Sequence, residues 1–128
     1  MKSSIVFALL FSVAPALASG PSVVPVIVGE IAETDGCSAL GQISGLSSET
    51  LMLRSGPGDS YKALGKLSNG DFVHLCSSSA DGDWSGVVLA MDGVIDCGVS
   101  SPLPTPRPYK GPCTSGWIPT KWATVVAG

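Results

Sequence analysis

The chain has 128 residues, of which 45% are hydrophobic, 13% charged and 6% aromatic. That length limits it to one domain, and so low a charged fraction beside so much apolar residue excludes a disordered chain. A net charge of −3 offers no basic footprint for nucleic acid or an anionic membrane surface, and a single histidine is too few for most metal or triad chemistry.

The first residues read as an export signal. Lys2 supplies the positive end, residues 5–13 form an apolar run broken only by Ser12, and Ala16-Leu17-Ala18 is a small-residue cleavage site. Pro15 stops the run well short of the roughly 20 apolar residues that a membrane-spanning helix needs. Residues 1–18 are therefore expected to be removed, leaving a chain that starts at Ser19, has no stable membrane anchor and resides in the periplasm or is secreted. Cys37, Cys76, Cys97 and Cys113 all lie beyond the cleavage site. An even number in a small exported domain reads as a disulfide framework, and four cysteines allow three connectivities. Paired zinc ligands lie only a few residues apart, which no two of these cysteines do. No metal and no cofactor is expected.

Residues 19–36 form an N-terminal arm. Pro21 and Pro25 forbid a helix there and suit an extended lead-in or an edge strand. The valines and Ile27 are too apolar for a free linker, so part of the arm should lie against the body or against a partner. From Cys37 onward, residues 40–46, 50–54, 63–67, 72–76, 84–89, 116–119 and 123–126 are runs of strand length. Between them stand turn residues such as Ser55-Gly56-Pro57-Gly58-Asp59 and Ser68-Asn69-Gly70-Asp71. No stretch keeps helical periodicity for three turns. Short strands with frequent turns indicate an all-β barrel or sandwich.

Four motifs in order carry a resemblance. Leu51-Met52-Leu53-Arg54-Ser55-Gly56-Pro57-Gly58 is followed by Tyr61 and by Leu64-Gly65-Lys66-Leu67-Ser68-Asn69-Gly70-Asp71. Asp81-Gly82-Asp83-Trp84 and Gly116-Trp117-Ile118-Pro119-Thr120-Lys121-Trp122 complete the series. Together they resemble the successive motifs of bacterial SH3 domains, over about residues 40–126. The resemblance implies a small SH3-like barrel of five to six short strands across residues 37–128. It also implies an accessory binding module of exported proteins, several of which bind cell-wall peptides beside a hydrolase domain. Two departures stand out: residues 91–115 are inserted where the family has a tight hairpin, and Trp122 stands where it usually has tyrosine.

Within the strand Phe72-Val73-His74-Leu75-Cys76, a period of two puts Val73 and Leu75 on one face and Phe72, His74 and Cys76 on the other. A small barrel has one core, so Val73 and Leu75 should fill it and Cys76 should point outward. Cys37, at the end of the arm, is then its expected partner, and Cys97 with Cys113 would close the insertion on itself. Pro102-Leu103-Pro104-Thr105-Pro106-Arg107-Pro108 favours an extended polyproline II conformation. It is expected to be a stiff surface loop, the alternative being a strap in the domain's own groove. Trp84 and Trp117 occupy strand positions suited to plugging the barrel ends.

Arg54-Ser55-Gly56-Pro57-Gly58 lacks the following helix and Walker lysine of a phosphate loop, and Asp81-Gly82-Asp83 lacks the ligand spacing of a calcium loop. His74 lacks a recognisable nucleophile motif, and no separate catalytic domain is expected within these 128 residues. The expectation is no enzyme and no catalytic residue. Candidate binding residues are Asp59, Tyr61, Tyr109, Trp117 and Trp122, since amphipathic aromatics commonly anchor recognition sites. The expected function is an exported, monomeric binding module for a short peptide, peptidoglycan or an envelope protein. The alternative is a structural or inhibitor-type periplasmic protein whose apolar arm adds a strand to a partner chain.

Overall fold

A computed structural model describes residues 21–90 and 96–128, so the expected export signal and residues 91–95 of the insertion lie outside the described residues. In chain order the described strands are β1 (Ile27–Val28), β2 (Ala39–Ile43), β3 (Leu51–Arg54), β4 (Ala63–Leu67), β5 (Phe72–Ser78), β6 (Trp84–Leu89), β7 (Arg107–Pro108), β8 (Ser115–Pro119) and β9 (Ala123–Ala127). One 3-10 turn, Thr120–Trp122, joins β8 to β9. β1 and β7 make a two-stranded ribbon, and the rest form one antiparallel sheet in the order β4-β3-β8-β6-β5-β2-β9.

Each run of strand length read from the sequence becomes one strand of that sheet. The largest difference is at β2, which ends at Ile43 rather than Leu46. Gly45 turns the chain there at a φ of 78°, and the Leu46 N–H donates to the Asn69 side-chain oxygen at 3.1 Å instead of to a neighbouring strand. β6 and β8 pair directly, Trp84 opposite Pro119 through Val88 opposite Ser115, so the insertion occupies the place of a hairpin loop.

Alternation sorts the strand residues into two apolar layers. Ile43, Leu53, Leu67, Val73, Val87 and Ile118 form an inner cluster, with Leu75 and Ala123 packed against it. Leu67 comes from one edge strand and Ala123 from the other, so the sheet is rolled around this cluster. The protein is all-β, a small rolled sheet consistent with an SH3-like fold.

A second cluster covers the outer face, which corrects the expectation of a single core. Val88, Cys76 and Trp117 point outward from β6, β5 and β8 and pack with Val26 and Val28 of the arm and with Cys97, Val99 and Cys113 of the insertion. β6 is thus covered on both faces, the reason Val87 and Val88 are both fully buried and its sequence does not alternate. Each buried valine of the arm stabilises this layer by about 1.5–3 kcal/mol. Gly86 makes the close approach feasible: a Cβ there would overlap the Ser77 hydroxyl and stand 3.2 Å from Val26 Cγ1 and 3.4 Å from the Trp117 ring.

Disulfides Cys37–Cys76 and Cys97–Cys113 join the arm's end to β5 and close the insertion. The proline run is surface-exposed, but it is also docked. Leu103 lies against Gly29, where a Cβ would come within 3.0 Å of the leucine Cβ, and β7 pairs with β1. Pro108 has no N–H to extend the ribbon, and the Tyr109 N–H takes over by donating to the Val26 carbonyl at 2.8 Å. The insertion is therefore a cover over the arm.

Candidate functional site

Three loops converge at one end of the rolled sheet. The β3–β4 loop brings Asp59, the β5–β6 turn brings Gly82 and Asp83, and the 3-10 turn brings Thr120 and Lys121, with Trp84 and Pro119 between them. They line an open groove of about 590 Å³.

The turn chemistry explains why the groove holds its shape. Asp81 caps the β5–β6 turn, accepting from the Ser79 hydroxyl at 2.7 Å and from the Asp83 N–H at 3.0 Å. Those two bonds lower its carboxyl pKa, the Ser79 hydroxyl contributing most. The Thr120 N–H donates to the Asp83 carbonyl at 2.9 Å, and the Thr120 hydroxyl donates to the Gly82 carbonyl at 2.8 Å. A hydrogen bond of 2.9 Å also links the Thr120 and Ser85 hydroxyls. The 3-10 turn is thus pinned to the β5–β6 turn, and their shared register puts the half-buried Trp84 beside Pro119. The wall carries the carboxylates of Asp59 and Asp83 against one cation, Lys121. Trp84 and Pro119 supply the apolar part of the lining.

Of the candidate binding residues named from the sequence, only Asp59 lines this groove. Tyr61 is half-buried with its ring laid on Gly56, while Arg54 donates to the Tyr61 carbonyl at 3.2 Å. Trp122 is half-buried over Gly45, 3.8 Å from the site of a Cβ there, and the Lys121 ammonium stands 4.9 Å from its ring centroid. The Tyr109 hydroxyl is engaged inside the insertion, donating to the Cys97 carbonyl at 2.8 Å and accepting from the Cys113 N–H at 3.1 Å. Trp117 is only 4% exposed beneath the arm, so it supports the outer layer and shows no face to a ligand. Asp83, Trp84, Pro119 and Lys121 were missed as a group. Their signal lay in the pairing of the Asp81-Gly82-Asp83-Trp84 and Pro119-Thr120-Lys121 motifs across adjacent strands.

His74 lies elsewhere, in a shallow depression of about 320 Å³ with Asp35, Cys37, Ser38, Val99 and Ser100. Partial burial lowers its pKa, the Asp96 carboxylate opposing that shift. The unfolded chain therefore takes up a proton at higher pH than the folded one. The stability that neutral His74 contributes is complete above pH ~6.5 and is lost as pH falls toward the folded-state value. Urea denaturation at pH 7.5 and pH 5 should show a smaller acid-induced loss for His74→Gln than for the native chain. Equal losses would rule out this cause.

Both disulfides suit an oxidising, extracytoplasmic environment. Among the described residues no helix is long and apolar enough to cross a membrane, and no three His, Cys, Asp or Glu side chains converge as metal ligands would. No family model matches the chain, and neither the curated proteins nor the solved structures contain a match to it.

Proposed function

We propose that the chain is an exported, non-catalytic binding module of the bacterial SH3 type, holding a short peptide or a peptide-bearing cell-wall component in the groove at Trp84. The observation that carries this reading is the convergence of Asp59, Asp83, Trp84, Pro119 and Lys121 from three loops, two of them pinned together by the Thr120 hydrogen bonds. A half-buried indole beside a proline gives an apolar seat of low conformational entropy, and the flanking carboxylates select a positively charged ligand. The alternative role, strand addition to a partner through the arm, has less support. Arm strand β1 is paired with the chain's own β7, and Val26 and Val28 are spent in its own outer cluster.

Co-sedimentation of the oxidised protein with purified peptidoglycan sacculi tests the reading. Saturable pelleting is expected, with affinity reduced roughly tenfold in Asp59→Lys/Asp83→Lys, because each exposed attraction is replaced by a repulsion of similar size. Trp122→Ala, outside the groove lining, should pellet like the native protein. Pelleting no greater than that of a control protein would remove the cell wall as ligand. Pelleting lost only in Trp122→Ala would move the site to the Gly45 side.

A further inference from the structure

A second groove lies between the arm's turn and the proline run of the insertion, sharing no lining residue with the one at Trp84. Its volume is about 710 Å³. Leu103, half-buried against Gly29, lines it together with Pro102, Pro104 and Pro106, and Glu30 and Glu33 stand on the opposite wall. The intervening Ile31 is 56% exposed. The Gly29 N–H donates to the Gly36 carbonyl at 2.8 Å and closes the arm's turn, and the Gly36 N–H donates to the Ser101 carbonyl at 2.9 Å and ties that turn to the insertion.

The chemistry of this groove is one-sided in two independent respects. Its described lining contains two carboxylates and no lysine, arginine or histidine. Its proline wall also offers carbonyl acceptors but few donors, because three of the lining residues have no backbone N–H. Both features call for a ligand that donates hydrogen bonds and carries positive charge, while Leu103 and the proline rings call for apolar contact. Alternate prolines are stiff, so little conformational freedom is lost when a chain settles on them.

We propose that this groove is a docking site for a segment of a partner protein that sets lysine or arginine beside aliphatic side chains. The carboxylates of Glu30 and Glu33 take the cation, and the proline wall with Leu103 takes the aliphatic groups. An acidic segment is rejected by like charge with Glu30 and Glu33. This site and the groove at Trp84 share no residue, so either assignment can fail without the other.

The probe is an acetylated, amidated hexapeptide of alternating leucine and lysine, with its leucine–glutamate counterpart as control, titrated into the oxidised, isotope-labelled protein and followed by backbone amide shifts. The expected result is saturable shifts at Gly29, Glu30, Leu103 and Thr105 with the lysine peptide and none with the glutamate peptide. Glu30→Lys/Glu33→Lys should weaken binding about tenfold or more, whereas Asp59→Lys/Asp83→Lys should leave these shifts in place. Equal shifts with both peptides, or shifts confined to Asp59, Asp83 and Trp84, would overturn the proposal. So would groove shifts that appear on concentrating the protein alone, since these would assign the groove to a second copy of the chain.

Discussion

Trp117→Ala is expected to cost about 3–5 kcal/mol, the range for removing a buried aromatic from a packed layer. The indole lies in the outer cluster between the arm and β8 and is only 4% exposed. Its Nε1–H donates to the Val24 carbonyl at 2.8 Å, a bond that spans 93 positions of sequence. The substitution therefore opens a cavity under Val26 and Val28 and also releases the start of the arm. Trp117→Phe keeps most of the apolar volume and loses the hydrogen bond, so its cost should be nearer 1–2 kcal/mol. Net stabilities are commonly only about 5–15 kcal/mol, so the alanine variant should be near the limit of folding. Urea denaturation measures both costs, and limited proteolysis of the arm supplies a local readout. If Trp117→Ala costs less than about 1 kcal/mol, the arm is a passive cover and the two layers are not coupled. The proteolysis should then show the arm equally protected in both proteins.

How legible this architecture is from the sequence depends on how local each signal is. Strand β5 is read directly, because Phe72-Val73-His74-Leu75-Cys76 alternates and the structure places Val73 and Leu75 in the inner layer and Cys76 in the outer one. That outward direction makes Cys37, at the end of the arm, the expected partner of Cys76, and the structure has this bridge. Strand β6 resists the same reading: Val87 and Val88 are adjacent and both buried, and period two alone does not reveal that a second layer covers the outer face. That layer is built from contacts such as Ile27 with Pro108 and Gly29 with Leu103, which join two segments without regular periodicity and far apart in the chain. The groove at Trp84 is non-local in the same way. Its walls come from the β3–β4 loop, the β5–β6 turn and the 3-10 turn, so Asp59 could be singled out by its loop while Trp84 read as a barrel plug. Trp84 and Trp122 carry the same side chain and are both half-buried. What separates them is register, Trp84 opposite Pro119, and the position of Gly45 under the other ring.

Replacing both cysteines of the Cys37–Cys76 bridge by alanine should cost about 4 kcal/mol, and replacing Cys97 and Cys113 about 3 kcal/mol, from the loop-closure entropy released in the unfolded chain. The bridges span sequence separations of 39 and 16, which sets that order. Native contacts push in the same direction. Cys37–Cys76 fastens the end of the arm onto β5, beside the cluster that holds Trp117. The Cys97–Cys113 loop keeps an additional tie, the Tyr109 hydroxyl bonded to both the Cys97 carbonyl and the Cys113 N–H. Loss of the longer bridge should therefore loosen the arm as well as destabilise the whole. Trp117 would gain water contact and the tryptophan emission should shift to the red, whereas the shorter bridge should leave the emission close to native. Combining Trp117→Phe with the Cys37/Cys76 double replacement should cost less than the sum of the two, because both act through the same docked arm. Strict additivity, or a larger cost for Cys97 and Cys113, would mean that the arm is held by its own ribbon with β7 rather than by the disulfide and the indole together.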